Sequence, residues 1–518
     1  MKKIILELLF ITLFFGNSIA QSVTISPGNA ANLQLPKLHA NQILSLPSPQ
    51  KGMMVFDSTN NCINYYNGSE WNCLTTGQPA QPETKYNSWS DGGGYNEFMY
   101  DIALDSEGNI IIVGQFYSEI TFGPTNLQID GLIGNDDGFI AKFDPHGKLI
   151  WLKKLGGYNM GIFSLNYCRK VKIDGNDNIY VLSKVTLFDD SGLGYSNTGM
   201  SFNKYSSTGV LISQKTIGNP SSSGGVEATD FFIDINNKVN ICGSFSNGTT
   251  DFGSGTPSTP IAGSDIFILK LNNDASLSYN NLIQMGGAGN DAGMAIEGDQ
   301  TGNIYLLGKF SGAAFLGGVA QTANYSSTAF LIKISSAGSS IWFTQFGSSS
   351  SVNPLCLGKN SLNELYVAGS FSSSLTVPSF PVFNSSGSAD SFLLKISYSG
   401  TAIWAKVFGG LGNDDIYDIS VEDSGVHFAG YYSNKSFLKE KFYYTQSVQK
   451  GIVGKLDNNG SFEKIIPLET TNVKSIFFRS SDNSTHFAGE FLGEKVDILG
   501  SNHNSAGLSQ DIFWANYK

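Results

Sequence analysis

Residues 409–417 read Gly-Gly-Leu-Gly-Asn-Asp-Asp-Ile-Tyr and satisfy G-G-x-G-x-D-x-U-x, the calcium-binding nonapeptide. Residues 286–291 match its first six positions. Calcium needs several oxygens around one ion, and the nonapeptide supplies them by tandem stacking. Here the two loops lie more than a hundred residues apart, so a plain turn is the favoured reading. Asp414 and Asp415, with Asp136 and Asp137, are weak calcium candidates. No other metal and no cofactor is expected.

Histidine and cysteine offer less. His427 and His486 hold one shared position whose equivalents are Tyr180, Tyr305 and Tyr366, which indicates an aromatic packing slot. A metal site would want three or four ligands, and no third is evident. Cys168, Cys242 and Cys356 lack metal-ligand spacing and are expected as buried thiols. Cys62 and Cys73 flank Asn67-Gly68, a strong two-residue hairpin signal. With that turn, paired residues sum to 135, placing Cys62 opposite Cys73 and Asn64 opposite Trp71. A disulfide between the two cysteines is expected in an oxidising compartment.

Catalytic motifs are missing where common enzymes need them. No G-x-S-x-G elbow occurs. Arg169 and Arg479 are the only arginines, too few for the three that a sialidase places around its substrate carboxylate. The stretch AKFDPHGKLIW matches a turn of quinone-dependent dehydrogenases at Asp144, Gly147 and Trp151, without the adjacent cysteines usual in those enzymes. The chain therefore reads as a non-enzymatic protein.

The elements that would carry these residues repeat. An apolar strand ending in a small residue recurs at Gly114, Ser183, Gly243, Gly308, Gly369, Gly430 and Gly489, at intervals of 59 to 69 residues. A second anchor keeps step with it, at Lys142, Lys204, Lys270, Lys333, Lys395, Lys455 and then Asn516. In three copies a Trp follows nine residues later, at Trp151, Trp342 and Trp404. Asn109, Asn178 and Asn303 mark one turn of the unit, and Gly147, Gly209, Gly400 and Gly460 another. Strands bounded by Gly/Asn punctuation are the antiparallel hairpin signal, and four strands per unit suit a propeller blade. The seventh copy ends on its third strand, while residues 86–90 loosely match an outer strand. The expected fold is all-β: a seven-bladed β-propeller closed by that N-terminal strand, which removes an open sheet edge.

The blocks GNIIIVG, TGNIYLLG, NELYVAG, DGFIAKFD, DSFLLKI and IWAKVFGGLGNDD resemble the seven-bladed β-propeller repeat family of secreted bacterial proteins, over roughly residues 84–518. The resemblance implies a fold and an extracytoplasmic setting, and no common enzyme activity. Copy two departs most, with Ser183 in place of glycine.

Composition agrees with a packed, exported protein. Charged residues make up 14% and the net charge is −11, which argues against nucleic acid and anionic membranes as partners. Residues 1–20 read as a signal peptide: Lys2 and Lys3, an apolar run, then Ser18-Ile19-Ala20 before Gln21. That run is short for a membrane span and no later segment is long enough, so no membrane insertion is expected. Residues 21–83 form a small N-terminal hairpin module and linker, resembling short hairpins of tail-fibre and bacterial surface proteins. The propeller occupies residues 84–518. At its centre, Asp101, Lys170, Asp230 and Asp418, with Ala295 and Cys356, are candidate channel-mouth residues. The expected role is binding or scaffolding through loops such as 123–135 and 372–389, for an unidentified protein or glycan. The alternative is a glycan-binding or glycan-cleaving envelope protein, favoured by facing carboxylates over an aromatic floor.

Overall fold

The computed structural model describes residues 37–38, 50–57, 62–66, 71–74 and 87–91. From Asn96 to Tyr517 it describes everything except 123, 130–135, 156–165, 189–195, 219–224, 247, 439–440, 469–470, 493–495, 500 and 504–509. Two compact units result, Met1–Thr84 and Lys85–Lys518.

In the first unit, Lys37–Leu38 runs parallel to Met54–Asp57, and Cys62–Tyr66 and Trp71–Leu74 continue the sheet antiparallel. The expected hairpin register is corrected here. Four residues, not two, separate the paired Tyr66 and Trp71, so paired positions sum to 137. Cys73 lies opposite Asn64, and Cys62 lies opposite Asp57. The longer connection sets Tyr66 opposite Trp71 in the register. The direct cross-strand position for a Cys62–Cys73 disulfide is thereby lost, and the two cysteine side chains lie outside the described residues.

The second unit is the seven-bladed propeller. The inner strands are Glu97–Leu104, Asn166–Ile173, Val226–Ile233, Ala292–Gly298, Ser351–Lys359, Asp415–Glu422 and Thr471–Arg479, and they number blades 1 to 7. In blade 1 the strands from centre to rim are Glu97–Leu104, Ile110–Tyr117, Asp136–Phe143 and Leu149–Leu155. Blades 2 to 6 repeat that order. Blade 7 contributes Thr471–Arg479, Ser484–Leu492 and Gln510–Tyr517, and its outer strand is Asn87–Asp91. Trp89 sits opposite Trp514 in that closing pair.

The repeated anchors now have physical reasons. The glycines of the second strands lie under inner-strand carbonyls: a Cβ at Gly369 would collide with the Asn353 oxygen, and one at Gly489 with that of Asn472. Two of the lysines tie one blade to itself and to the next. Lys142 Nζ is 2.8 Å from Asp105 in its own blade's first turn and donates to the Ser207 carbonyl of blade 2 at 3.0 Å. Lys395 repeats this with Glu364 and Asn458. The tryptophans reach the same turns: Trp151 Nε1 donates to Ser207 O, Trp342 to Tyr398 O and Trp404 to Asn458 O.

The loops preceding the third strands are partly structural. In blades 4, 5 and 6 they fold as hairpins that pair with the end of the preceding blade's outer strand, through Ala314–Gly287, Thr376–Gly347 and Phe437–Gly409. No helix among the described residues is long and apolar enough to cross a membrane.

Candidate functional site

Every inner strand carries a β-bulge at the same level of the ring. The pairing skips Tyr100, Arg169, Thr229, Met294, Leu355, Tyr417 and Lys474 in blades 1 to 7. A bulge frees a backbone N–H and redirects a side chain. The residues just after it are Asp101, Lys170, Asp230, Ala295, Cys356, Asp418 and Ser475. The structure thus gathers the sequence candidates Asp101, Lys170, Asp230 and Asp418 into one ring and adds Ser475.

The carboxylates of this ring hold neighbouring blades together. Asp101 Oδ2 accepts the Val171 N–H at 2.8 Å, Asp230 Oδ2 that of Ile296 at 3.0 Å, and Asp418 Oδ2 that of Ile476 at 3.0 Å. In each case the donor follows the bulge of the next blade. Charges alternate around them: Lys170 Nζ stands 3.8 Å from both Asp101 and Asp418, and Lys172 Nζ stands 3.1 Å from Asp230. Burial pushes Asp101 up to about 6, against the pull of Lys170 and with the repulsion of Asp418. Lys170 is raised by Asp101 and Asp418 despite its own burial.

Above the ring the skipped residues build the mouth of a cavity of about 670 Å³, lined by the inner strands of all seven blades. Blades 6, 7, 1 and 2 supply Tyr417, Lys474, Tyr100 and Arg169, while blades 3, 4 and 5 supply Thr229, Met294 and Leu355. Tyr100 stacks on Tyr167 with ring centres 5.2 Å apart and donates its hydroxyl to Gln115. Arg169 pairs with Glu227 at 2.8 Å. Lys474 Nζ lies 4.4 Å from the centre of the Tyr417 ring and 3.8 Å from Glu490. Burial pushes both Glu490 and Asp415 up to about 7, with Lys474 opposing in each case. Both are too buried, at 2% and 9% exposure, to meet a substrate directly. What the mouth offers is aromatic surface, phenol hydroxyls and two cations, a surface suited to holding a polar ligand.

The remaining candidates are engaged in the scaffold. Asp414 accepts the Gly410 N–H at 2.9 Å and the Ser433 N–H at 3.3 Å, latching the corner between blades 5 and 6. Asp291 does the same between blades 3 and 4, with Gly287 and Ser311. Asp136 accepts from Gln115 Nε2 at 2.5 Å, and Asp137 lies 3.9 Å from Lys154. No group of three or more His, Cys, Asp or Glu among the described residues could hold a metal ion. His427 bonds to Glu422 and Thr485 and stacks on Phe478, while His486 bonds to Ser484 and stacks on Trp514. Cys168, Cys242 and Cys356 are buried free thiols.

Sequence reasoning missed Ser475, the four mouth residues Tyr100, Arg169, Tyr417 and Lys474, and Glu490. Their one shared signal is position: each mouth residue immediately precedes a ring residue. That position has no meaning until the bulge is known.

Residues 20–89 match the family described as phage tail like trimerisation region. The regulatory protein FlaEY of Caulobacter vibrioides is 26% identical over 247 residues, 46% of this chain and 25% of that protein. The match therefore spans a quarter of the relative's length. Among solved structures, an inactive virginiamycin B lyase from Staphylococcus aureus covers 83% of this chain and 99% of its own, at 11% identity and a TM-score of 0.38. A protein of unknown function from Dyadobacter fermentans covers 84% and 99%, at 9% identity and a TM-score of 0.36. Likeness at this level carries nothing about activity.

Proposed function

We propose that this is an exported, non-enzymatic binding or scaffolding protein of the secreted seven-bladed propeller repeat kind, working at the cell envelope or outside the cell. The observation that carries the reading is the mouth itself. Its polar groups are tied to one another and to the blades, giving a pre-organised surface of tyrosines and cations over a cavity. The ligand is a protein segment or glycan that lies across Tyr100, Tyr417 and Lys474. The similarity of residues 20–89 to a trimerisation region supports three copies per assembly, which would multiply weak contacts through avidity.

Purified Gln21–Lys518 tests this in two ways. Light scattering should return three times the chain mass, and a single-chain mass overturns the trimer. Capture from envelope extract, run beside a glycan array, should retain a defined protein or a saturable glycan, and Tyr417→Ala should abolish retention. Retention unchanged by that variant moves the binding surface to the rim loops.

A glycan-cleaving role is the second reading, favoured by two carboxyl groups raised to about 7 beside an aromatic residue. Their burial weighs against it, and release of reducing ends from envelope polysaccharide would reinstate it.

A further inference from the structure

Ser475 Oγ stands 2.7 Å from Asp101 Oδ1 and 2.5 Å from Asp418 Oδ2. A hydroxyl carries one proton and can donate to one of them. The other carboxyl must then donate to the hydroxyl, or two oxygens face each other with no hydrogen between them. Charge counting gives the same answer. Asp101 and Asp418 meet one ammonium, that of Lys170, so the cluster carries one excess negative charge in a buried place. Asp101 is 5% exposed and Ser475 1%.

We propose that one proton is held in this cluster, on the Asp101 carboxyl, and that its loss as pH rises loosens the ring where the chain closes. In the protonated state the Asp101 O–H donates to Ser475 Oγ, and the Ser475 O–H donates to Asp418 Oδ2. The Asp418 carboxylate keeps the Ile476 N–H and the Lys170 ammonium. When the proton leaves, the hydroxyl serves only one carboxylate, and Asp101 and Asp418 repel across it.

The groups facing the cluster are few. Lys170 comes from blade 2, Asp418 from blade 6 and Ser475 from blade 7. Asp230 of blade 3 lies farther off and acts through Lys170, while the Cys356 thiol of blade 5 faces both Lys170 and Asp418. Burial pushes Asp101 from the ordinary 3.8 up to about 6, so the contribution fades between those two values. A folded value above the unfolded one means the contribution is complete in acid and disappears as pH rises through the folded value.

The cluster also underlies the mouth. Tyr100, Arg169, Tyr417 and Lys474 are the chain neighbours of Asp101, Lys170, Asp418 and Ser475 respectively. Acidity would therefore tighten the mouth, whatever ligand it takes.

The test is thermal unfolding of the full mature chain between about pH 5 and about pH 8, for the wild type and Asp101→Asn. The amide reproduces the protonated carboxyl: its oxygen accepts the Val171 N–H and its nitrogen donates to Ser475. The variant should fold, be more stable than wild type at about pH 8 by roughly 1–4 °C, and keep only part of that advantage at about pH 5. Asp418→Asn, which also removes the excess charge, should flatten the same part of the profile. A wild-type slope retained in both variants, or Asp101→Asn destabilised equally at both ends, overturns the shared proton.

Discussion

Asp230 in blade 3 accepts the backbone N–H of Ile296 in blade 4 at 3.0 Å, two residues past the bulge at Met294. Ile296 stays in register with Leu306, but its strand is an edge with one partner, and the neighbouring blade supplies the acceptor for its N–H. Asp101 and Asp418 repeat the bond at two other interfaces. The residues that looked most like a ligand site are thus joints between blades.

Replacing Asp230 by Ala should leave the Ile296 N–H without its acceptor and the Lys172 ammonium with Glu297 as its remaining opposite charge. An unmet buried donor costs about 1–3 kcal/mol, so urea unfolding should show a loss of that size. Asp230→Asn keeps an acceptor and should lose less. Equal losses in both variants would show that the ion pair, not the N–H bond, matters.

Trp404 packs at 8% exposure, and its Nε1 donates to Asn458 O of the next blade at 2.9 Å. Truncating a buried tryptophan costs about 3–5 kcal/mol. Trp404→Ala should fall in that range by chemical unfolding, and Trp404→Phe should recover most of it through retained packing. An alanine variant as stable as wild type would remove the residue from the blade interface.

Calcium should not matter to the corners. Both oxygens of Asp414 and both of Asp291 accept backbone N–H bonds, so they act as latches. Thermal unfolding should coincide with calcium and with a chelator. Asp414→Ala should lower the transition by the same amount in each. A calcium-dependent rise in wild type that Asp414→Ala abolishes would restore the metal reading.

Glu490 accepts the Met99 N–H and the Gln510 amide and is pushed up to about 7 by burial, with Lys474 opposing. Its folded value lies above its unfolded one, so its contribution is complete in acid and is lost as pH rises through about 7. Glu490→Gln should therefore gain roughly 1–3 kcal/mol relative to wild type on going from about pH 5 to about pH 8, by urea unfolding at each pH. A constant difference across that range would show that Glu490 stays ionised when folded.

Spacing alone disclosed the architecture because each blade is the same local solution repeated. A glycine sits where an inner-strand carbonyl presses on it, and a lysine or tryptophan sits where a neighbouring turn offers a carbonyl. Such demands recur at one position in most blades, so they print a period. The closing strand was legible for the same reason, though Trp89 proved to pair with Trp514. The register of the small hairpin was not, since the length of a turn can exceed its Asn-Gly core and shift every pair. The mouth escaped for a different reason. Tyr100, Arg169, Tyr417 and Lys474 differ in type and lie far apart in the chain, and a one-residue bulge in each strand sets them on the wall of one cavity. The bond from Ser475 to both Asp101 and Asp418 joins the last blade to the first and the sixth, a meeting that exists only once the ring has closed.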